Sequence, residues 1–365
     1  MHCTSPDKFE VKVLDSYEKE GKFFARLDNN QFFNDGSGGQ LGDRGTIGKA
    51  RVVFSFGDKV ETNVLIQKGW HEAFVDIKRR IDISQQHSAQ HILSSAIEKK
   101  CMAKTLSFHM GESVSTIDLD LNSNLDEAEK LANEIVTSDI VVDEIIIEHK
   151  DVAKYPLRKK LSDKALLSSS VRIIKIGDFD VNACAGFHVS RTGEIGIIKI
   201  IKTERVKGGL TRVWFLAGMR AFLDYKKKSE EIDFASKVFG TSWKNLYDRA
   251  KKCSDDSKNK NTKIKKLSED LASHIAKSIK KGDVIEVDDT VASFVTRLNQ
   301  DTLYAIKTSD PANVTICAPG VAKEDIMSFV SHLNAKGGGN NSLYRFSFPD
   351  FEKFQKEWER FVSER

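Results

Sequence analysis

The chain has 365 residues, with 57 Lys/Arg against 53 Asp/Glu for a net charge of +4, and 40% hydrophobic and 30% charged residues. That composition describes an ordinary globular protein with room for two or three domains. No apolar run is long enough to span a membrane, and the start, MHCTSPDKFEV, has neither the apolar core of a signal peptide nor an arginine-rich amphipathic pattern. Five scattered cysteines, Cys3, Cys101, Cys184, Cys253 and Cys317, argue against a disulfide framework and for a reducing cytoplasm.

In chain order, residues 9–75 read as β structure. FEVKVLDSYEKEGKFFARLD holds two alternating runs split by the turn former EKEG, which predicts a hairpin. A glycine-dense stretch, FFNDGSGGQLGDRGTIG, follows, and RVVFSF and AFVDIK resume the strand pattern. A small β-rich, barrel-like domain is expected over residues 1–80. Near residue 84 the period changes: SQQHSAQHILSSAIEKK predicts an amphipathic helix with Ser84 as N-cap and lysines in its last turn. Strands at STIDLDL, DEIIIEH, VRIIKIG, IGIIKIIKTER and TRVWFLAG, with a helix at LDEAEKLANEIVTS, predict an α+β domain over residues 81–222.

From Asp224 to Lys281 the pattern is helical and polar. Ile232, Phe239, Leu246 and Cys253 recur every seven residues, and Leu267, Leu271 and Ile275 continue an apolar stripe. A helical hairpin or a dimerising coil over residues 223–281 fits this spacing. Between Lys244 and Lys281 there are 12 Lys/Arg against five Asp/Glu, either a solvated face or a surface for phosphates. Residues 282–365 return to β and α: VIEVDD, TLYAIKTS and NVTICAPG read as strands, KEDIMSFVSHLNA as a helix, KGGGNNS as a glycine loop, and the end as a charged helix.

His87 and His91, one helical turn apart, project from the same side of the predicted helix. On its own such a pair is also common surface decoration. Cys184 and His188 in NACAGFHVS could add a thiolate and a third imidazole, and that mixed nitrogen and sulfur set favours zinc over calcium or magnesium.

QQHSAQHILS and NACAGFHVSRTGEIGIIKI resemble the HxxxH and CxxxH zinc motifs of the alanyl-tRNA synthetase editing domain and of the AlaX-type alanyl-tRNA editing proteins. DGSGGQLGDRGTIG resembles that family's GGQ-x-x-D-x-G segment, LSFHMGESVSTIDLDL the strand region after its first helix, and the AKGGGN tail its DHHA1-type C-terminal domain. The resemblance covers nearly the whole chain. It implies one zinc ion per chain on His87, His91, Cys184 and His188, beside a pocket lined by Gly38, Gly39 and Gln40. Glycines let backbone N–H groups approach a ligand, and Gln40 both donates and accepts; a tight β-turn explains the same glycines. His109 is a further pocket candidate or an ordinary satisfied histidine, and Asp118 lies in the same region.

The implied activity is hydrolysis of the aminoacyl ester on tRNA(Ala) carrying serine or glycine. A pocket for alanine cannot exclude the smaller glycine and rejects an added hydroxyl poorly, so a second hydrolytic site corrects the error. With no synthetase domain ahead of the motifs, action in trans on released tRNA is expected from a free-standing protein. Basic elements should hold the tRNA: Lys202, Arg205 and Lys207 in KIIKTERVKGG, the lysine-rich helices, and Lys336, Gly337, Gly338 and Gly339. A homodimer through the helical segment or the C-terminal domain is also expected. Two departures bear on amino-acid preference. Phe187 stands where the family carries a small hydroxyl residue, and Asn30 and Gln31 stand where an upstream threonine is common. Rival readings are a threonyl-type seryl-tRNA editing domain, a phosphoesterase with a related tail but without its Asp-His-His signature, and a non-catalytic tRNA-binding or dimerisation protein with a structural zinc.

Overall fold

The computed structural model describes residues 6–121, 123–161, 163–308, 313–340 and 342–365; Cys3 lies outside them. The chain divides into two compact units, Met1–Glu231 and Ile232–Arg365.

The first unit opens with six strands: β1 (Lys8–Lys19), β2 (Lys22–Leu27), β3 (Gly45–Ile47), β4 (Ala50–Phe56), β5 (Lys59–Thr62) and β6 (Gly69–Val75). They close into a barrel in the order β1-β2-β5-β4-β3-β6, with β1 antiparallel to β6. The predicted hairpin is β1–β2. Glu20 and Gly21, at φ +55° and +74°, make its turn, where two positive φ values match the twist of the flanking strands. Val11, Val13, Ala25, Leu27, Val52, Val60 and Ala73 point inward, which is the alternation seen in the sequence.

Helix α1 (Ile77–Cys101) starts seven residues before the expected Ser84. Asp76 is the cap, accepting from the Arg79 N–H, and the Ser84 hydroxyl instead donates to the Arg80 carbonyl inside the helix. Nothing between Ile77 and Ile83 is Gly or Pro, so the helix runs back to the earlier acceptor. Nor is α1 amphipathic. Arg80, Ser84, Gln86, His87, Ser88, Gln90, His91, Ser94 and Ser95 are buried along with its apolar residues.

Around α1 lie β7 (Thr105–Met110), β8 (Ser115–Leu119), α2 (Asp126–Thr137), β9 (Val142–Glu148), α3 (Asp163–Leu166), β10 (Ser170–Ile176), β11 (Asp180–Ala183), β12 (Ile198–Arg205) and β13 (Thr211–Ala217). The strands form two sheets, β12-β13-β8-β7 and β11-β10-β9. One core joins Ile92, Leu93, Ala96 and Ile97 of α1 to Ala128 and Ala132 of α2 and to Ile117, Ile174, Ile176, Val213 and Phe215 of the sheets. This is the expected α+β architecture. Helix α4 (Gly218–Val238) follows.

The second unit contains α5 (Leu246–Ser278), β14 (Val284–Glu286), α6 (Asp289–Leu298), β15 (Tyr304–Lys307), β16 (Asn313–Cys317), α7 (Lys323–Ser331), β17 (Lys336–Asn340), β18 (Leu343–Ser347) and α8 (Phe351–Ser363). Its sheet runs β14-β15-β16-β18-β17 over a core of Tyr344, Phe346, Phe348, Phe354 and Trp358. Two details differ from the sequence reading. The seven-residue series through Ile232 and Cys253 does not run along one coil, because the chain breaks at Gly240, at φ +60°, between α4 and α5. KGGGN is an exposed edge strand, β17, rather than a loop: Gly337 and Gly339 lie so close to the β18 backbone that a Cβ would collide with it. No helix among the described residues is long and apolar enough to cross a membrane.

Candidate metal centre

One helical turn carries His87 and His91 to the same side of α1, and the segment leaving β11 brings Cys184 and His188 against them. One donor atom from each of the four lies within 4.8 Å of the others. Cys184 Sγ is 3.3 Å from both His87 Nε2 and His188 Nε2. The three rings pack with centroids 4.5–5.4 Å apart, and all three histidines are buried.

Each imidazole is held from behind by its other nitrogen. His87 Nδ1–H donates to Gln40 Oε1 (2.8 Å), His91 Nδ1–H to Asp180 Oδ2 (3.1 Å) and His188 Nδ1–H to Ser88 Oγ (3.1 Å). That assignment turns all three Nε2 atoms towards the thiol, so that each is presented to a metal once it carries no proton. Arg158 Nε, 2.6 Å from Asp180 Oδ1, fixes the carboxylate in turn.

Charge follows the same geometry. Burial opposes ionisation of Cys184, but His87 and His188 beside it outweigh burial and hold the thiol well below its usual range. Burial also opposes a proton on His91, yet the bonds to Asp180 and Cys184 prevail and lift it to about 9. Burial, reinforced by His87 and His91, drives His188 down to about 3 despite the thiol. A half-buried thiolate and three buried imidazoles with oriented rings fit zinc in chemistry and in number.

The Cys184–His188 segment is fixed by neighbours. Arg172 Nη1 donates to the carbonyls of Cys184 and Gly186, both at 2.8 Å, while its other edge grips Glu144 at 2.7 and 2.9 Å. Gly186 packs so tightly that a Cβ would meet the His87 ring and Gln40. The glycine-rich segment backs this turn. A Cβ on Gly38, at φ +62°, would come 2.8 Å from Gly186 N, and Gly39 faces the Phe108 ring. Gln40 is buried, and its Oε1 also accepts from Phe187 N at 2.7 Å. The Phe187 ring packs on Phe33 (4.5 Å) with the Arg80 guanidinium 5.0 Å from its centre, beside Ile83 and Met110. Arg80 itself is fully buried on Asp43 (2.6 and 3.1 Å).

The other sequence candidates divide. Phe108, not His109, meets the cluster: its ring stacks on His87 at 5.6 Å, while His109, next along the strand, is exposed on the opposite face. Asp118 is bound to Arg212 and Ser107. Asn30 is occupied in the barrel, donating to Ser55 Oγ and the Gly57 carbonyl and accepting from Phe32 N. Arg205 and Lys207 are exposed where β12 turns into β13, and Lys202 lies over Trp214 at 4.7 Å, bonded to Glu204. Lys336–Gly339 are exposed in the second unit. Sequence reasoning missed the groups that hold the donors: Asp180, Ser88, Arg172 and Glu144. Ser88 adjoins His87 and Asp180 lies four residues before Cys184, but neither spacing has a helical or strand rationale visible in the letters.

Residues 171–213 match the family model described as the threonyl and alanyl tRNA synthetase second additional domain. The chain is 33% identical over 302 residues to an alanine–tRNA ligase of Methanobrevibacter smithii, an overlap of 77% of this chain and 33% of the ligase. It is 30% identical over 231 residues to the alanyl-tRNA editing protein AlaX-L of Pyrococcus horikoshii, covering 59% of this chain and 56% of that protein. The chain is a relative of the AlaX-type alanyl-tRNA editing proteins. It spans about a third of the length of the ligases it matches. The matched segment holds Arg172, Cys184 and His188, half of the candidate donor set and the guanidinium that braces it.

Proposed function

We propose that the chain hydrolyses the ester bond of mischarged tRNA(Ala), removing serine or glycine, at a zinc site formed by His87, His91, Cys184 and His188, and that it acts in trans on tRNA charged by another protein. The observation that carries this reading is the buried cluster itself: three imidazoles and a thiol converge with every imidazole held from behind, in a relative of AlaX-L and alanine–tRNA ligases.

When bound, zinc supplies a fixed positive charge able to polarise an ester carbonyl or orient water. The chain does the rest. Gln40, Asp180 and Ser88 keep Nε2 of each histidine aimed inward, and Arg172 holds the Cys184–Gly186 backbone still. Gly38 and Gly39 bring bare backbone beside the cluster, where a small aminoacyl group can approach closely; the Gly39 N–H itself donates to the Gly36 carbonyl. Lys202, Arg205, Lys207 and the Lys336–Gly339 strand, in a C-terminal unit of DHHA1 type, are the proposed phosphate contacts.

The test is deacylation of seryl-, glycyl- and alanyl-tRNA(Ala) by the wild type and by His91→Ala, with metal content measured on both. Hydrolysis of a mischarged tRNA that falls together with zinc supports the reading. Equal rates in the two proteins reject it. Four protein donors also suit a purely structural zinc; under that reading His91→Ala lowers stability while the wild type hydrolyses none of the three substrates.

A further inference from the structure

The outer wall of the barrel carries a feature the metal centre does not use. On β1, β2, β5 and β4 the inward positions are apolar or buried, and four of the outward positions are aromatic. Tyr17 stacks on Phe24 with centroids 5.7 Å apart; Phe24 meets Phe56 at 6.1 Å; Phe56 meets Phe54 at 6.0 Å. The Arg44 guanidinium covers the end of the row, 5.7 Å from the Phe54 ring. Phe54 and Phe56 are 41% and 36% exposed, which is costly on an otherwise polar face unless something covers them.

Charge shows what kind of group would. The two carboxylates beside the rings are answered within the protein, Glu61 by Lys22 and Asp15 by Lys68. Arg26 and Lys59, paired across β2 and β5 between the rings, form no ion pair within 4 Å among the described residues, although Arg26 stands across β1 from Asp15 and, behind Lys68, helps hold that carboxyl below its usual range. The wall therefore offers flat rings interleaved with surplus positive charge. Paired nucleic acid hides its base faces. A single strand presents both phosphates and unstacked bases, and stacking on such rings tolerates any sequence. The row is also tied to the metal centre through one segment of chain. Asp35 accepts from Ser55 N on β4 (3.0 Å) and pairs with Arg44 (2.8 and 3.0 Å), and five residues along the same segment Gln40 orients His87.

We propose that this face of the barrel is a stacking platform for an unpaired stretch of RNA, placed to lead a tRNA end towards the metal centre. The proposal rests on the reading that the chain acts on tRNA.

The test uses the full-length protein and two labelled probes, a short single-stranded RNA and a fully paired duplex of the same length. The wild type should bind the single strand more tightly. Phe54→Ala/Phe56→Ala should weaken that binding by about tenfold or more. Arg26→Ala/Lys59→Ala should flatten its salt dependence. Both variants should keep their zinc and their rate on a small aminoacyl ester, while kcat/KM on charged tRNA drops. Preference for the duplex, or unchanged binding in the ring variant, overturns the platform. So does a change of oligomeric state in that variant, which would make the row a contact between copies. If the wild type hydrolyses charged tRNA and the ring variant does so with the same kcat/KM, the platform alone fails; if the wild type neither binds RNA nor deacylates, the functional reading fails first.

Discussion

Helices α1 and α5 are both long and both rich in polar residues, yet they dispose of side chains in opposite ways. α1 buries Arg80, Gln86, His87, Ser88, His91 and Ser95. It does so because each meets a partner: Arg80 meets Asp43, Gln86 exchanges two hydrogen bonds with the Ala217 backbone, and Ser95 donates to the Phe179 carbonyl. α5, 33 residues long, buries only Ser268 and Ala272, and leaves Ile264, Leu267 and Leu271 more than half exposed. Side-chain polarity therefore does not decide which helix enters a core. A buried polar group costs little once its bonds are made and a great deal when one is missing. α1 is expensive to disturb and α5 cheap.

The contrast can be broken at several points. Asp43→Ala removes the buried two-point partner of the Arg80 guanidinium, leaving the more exposed Asp7 at 3.4 Å, and should cost up to about 3–5 kcal/mol, read from urea unfolding of the metal-loaded protein. A loss under 1 kcal/mol would mean water reaches Arg80. Cys184→Ala removes a donor. Under the proposed function, zinc content should fall to background and hydrolysis of mischarged tRNA by about 10²–10³-fold, the several kcal/mol that a bound metal contributes. Asp180→Asn, one step further out, should weaken zinc about 10–100-fold in a competition titration with a chelating dye; a full-affinity variant would leave His91 oriented by packing alone.

Proton release gives a smaller and more graded signal. His91 holds its proton up to about 9 in the metal-free protein, against an ordinary 6.5, and zinc needs it neutral. Zinc affinity should rise about tenfold per pH unit below 9, with one proton released by His91, detectable by calorimetry in buffers of different ionisation enthalpy. The sign reverses for the metal-free fold. The charged His91–Asp180 pair stabilises it fully below pH 6.5, and that contribution is lost as pH rises through about 9. Smallest of all, Ile264→Ala on α5 should change stability by less than about 0.5 kcal/mol. A larger, concentration-dependent loss would show that another copy covers this helix.

The sequence exposes some of this and hides the rest for physical reasons. The four donors are legible because metal chemistry demands particular residue types, and a helical turn converts His87–His91 spacing into proximity. The barrel is legible from strict alternation around a Glu20–Gly21 turn. The extent of α1 is not, because Asp76 and Ser84 are equally good caps and only tertiary packing chooses between them. The braces are hidden as well. Arg172 acts on carbonyls twelve and fourteen residues away through a strand pairing that no local pattern announces. Phe187 looks, in the letters, like an obstruction at the centre. In the fold, Phe33 and Arg80 take up its ring, and only its N–H, bound to Gln40, touches the site's scaffold.

The meeting of Gly38 with Gly186 has a consequence for how the first unit could be cut or transplanted. Two bare backbones touch there with no space for even a methyl group, so neither side can be remodelled without moving the other. A fragment beginning at α1 would retain every donor atom, yet would lose the amide oxygen that steers His87 and the surface against which the Cys184–His188 turn is moulded. The barrel is thus less an appendage than the fourth wall of the candidate metal site.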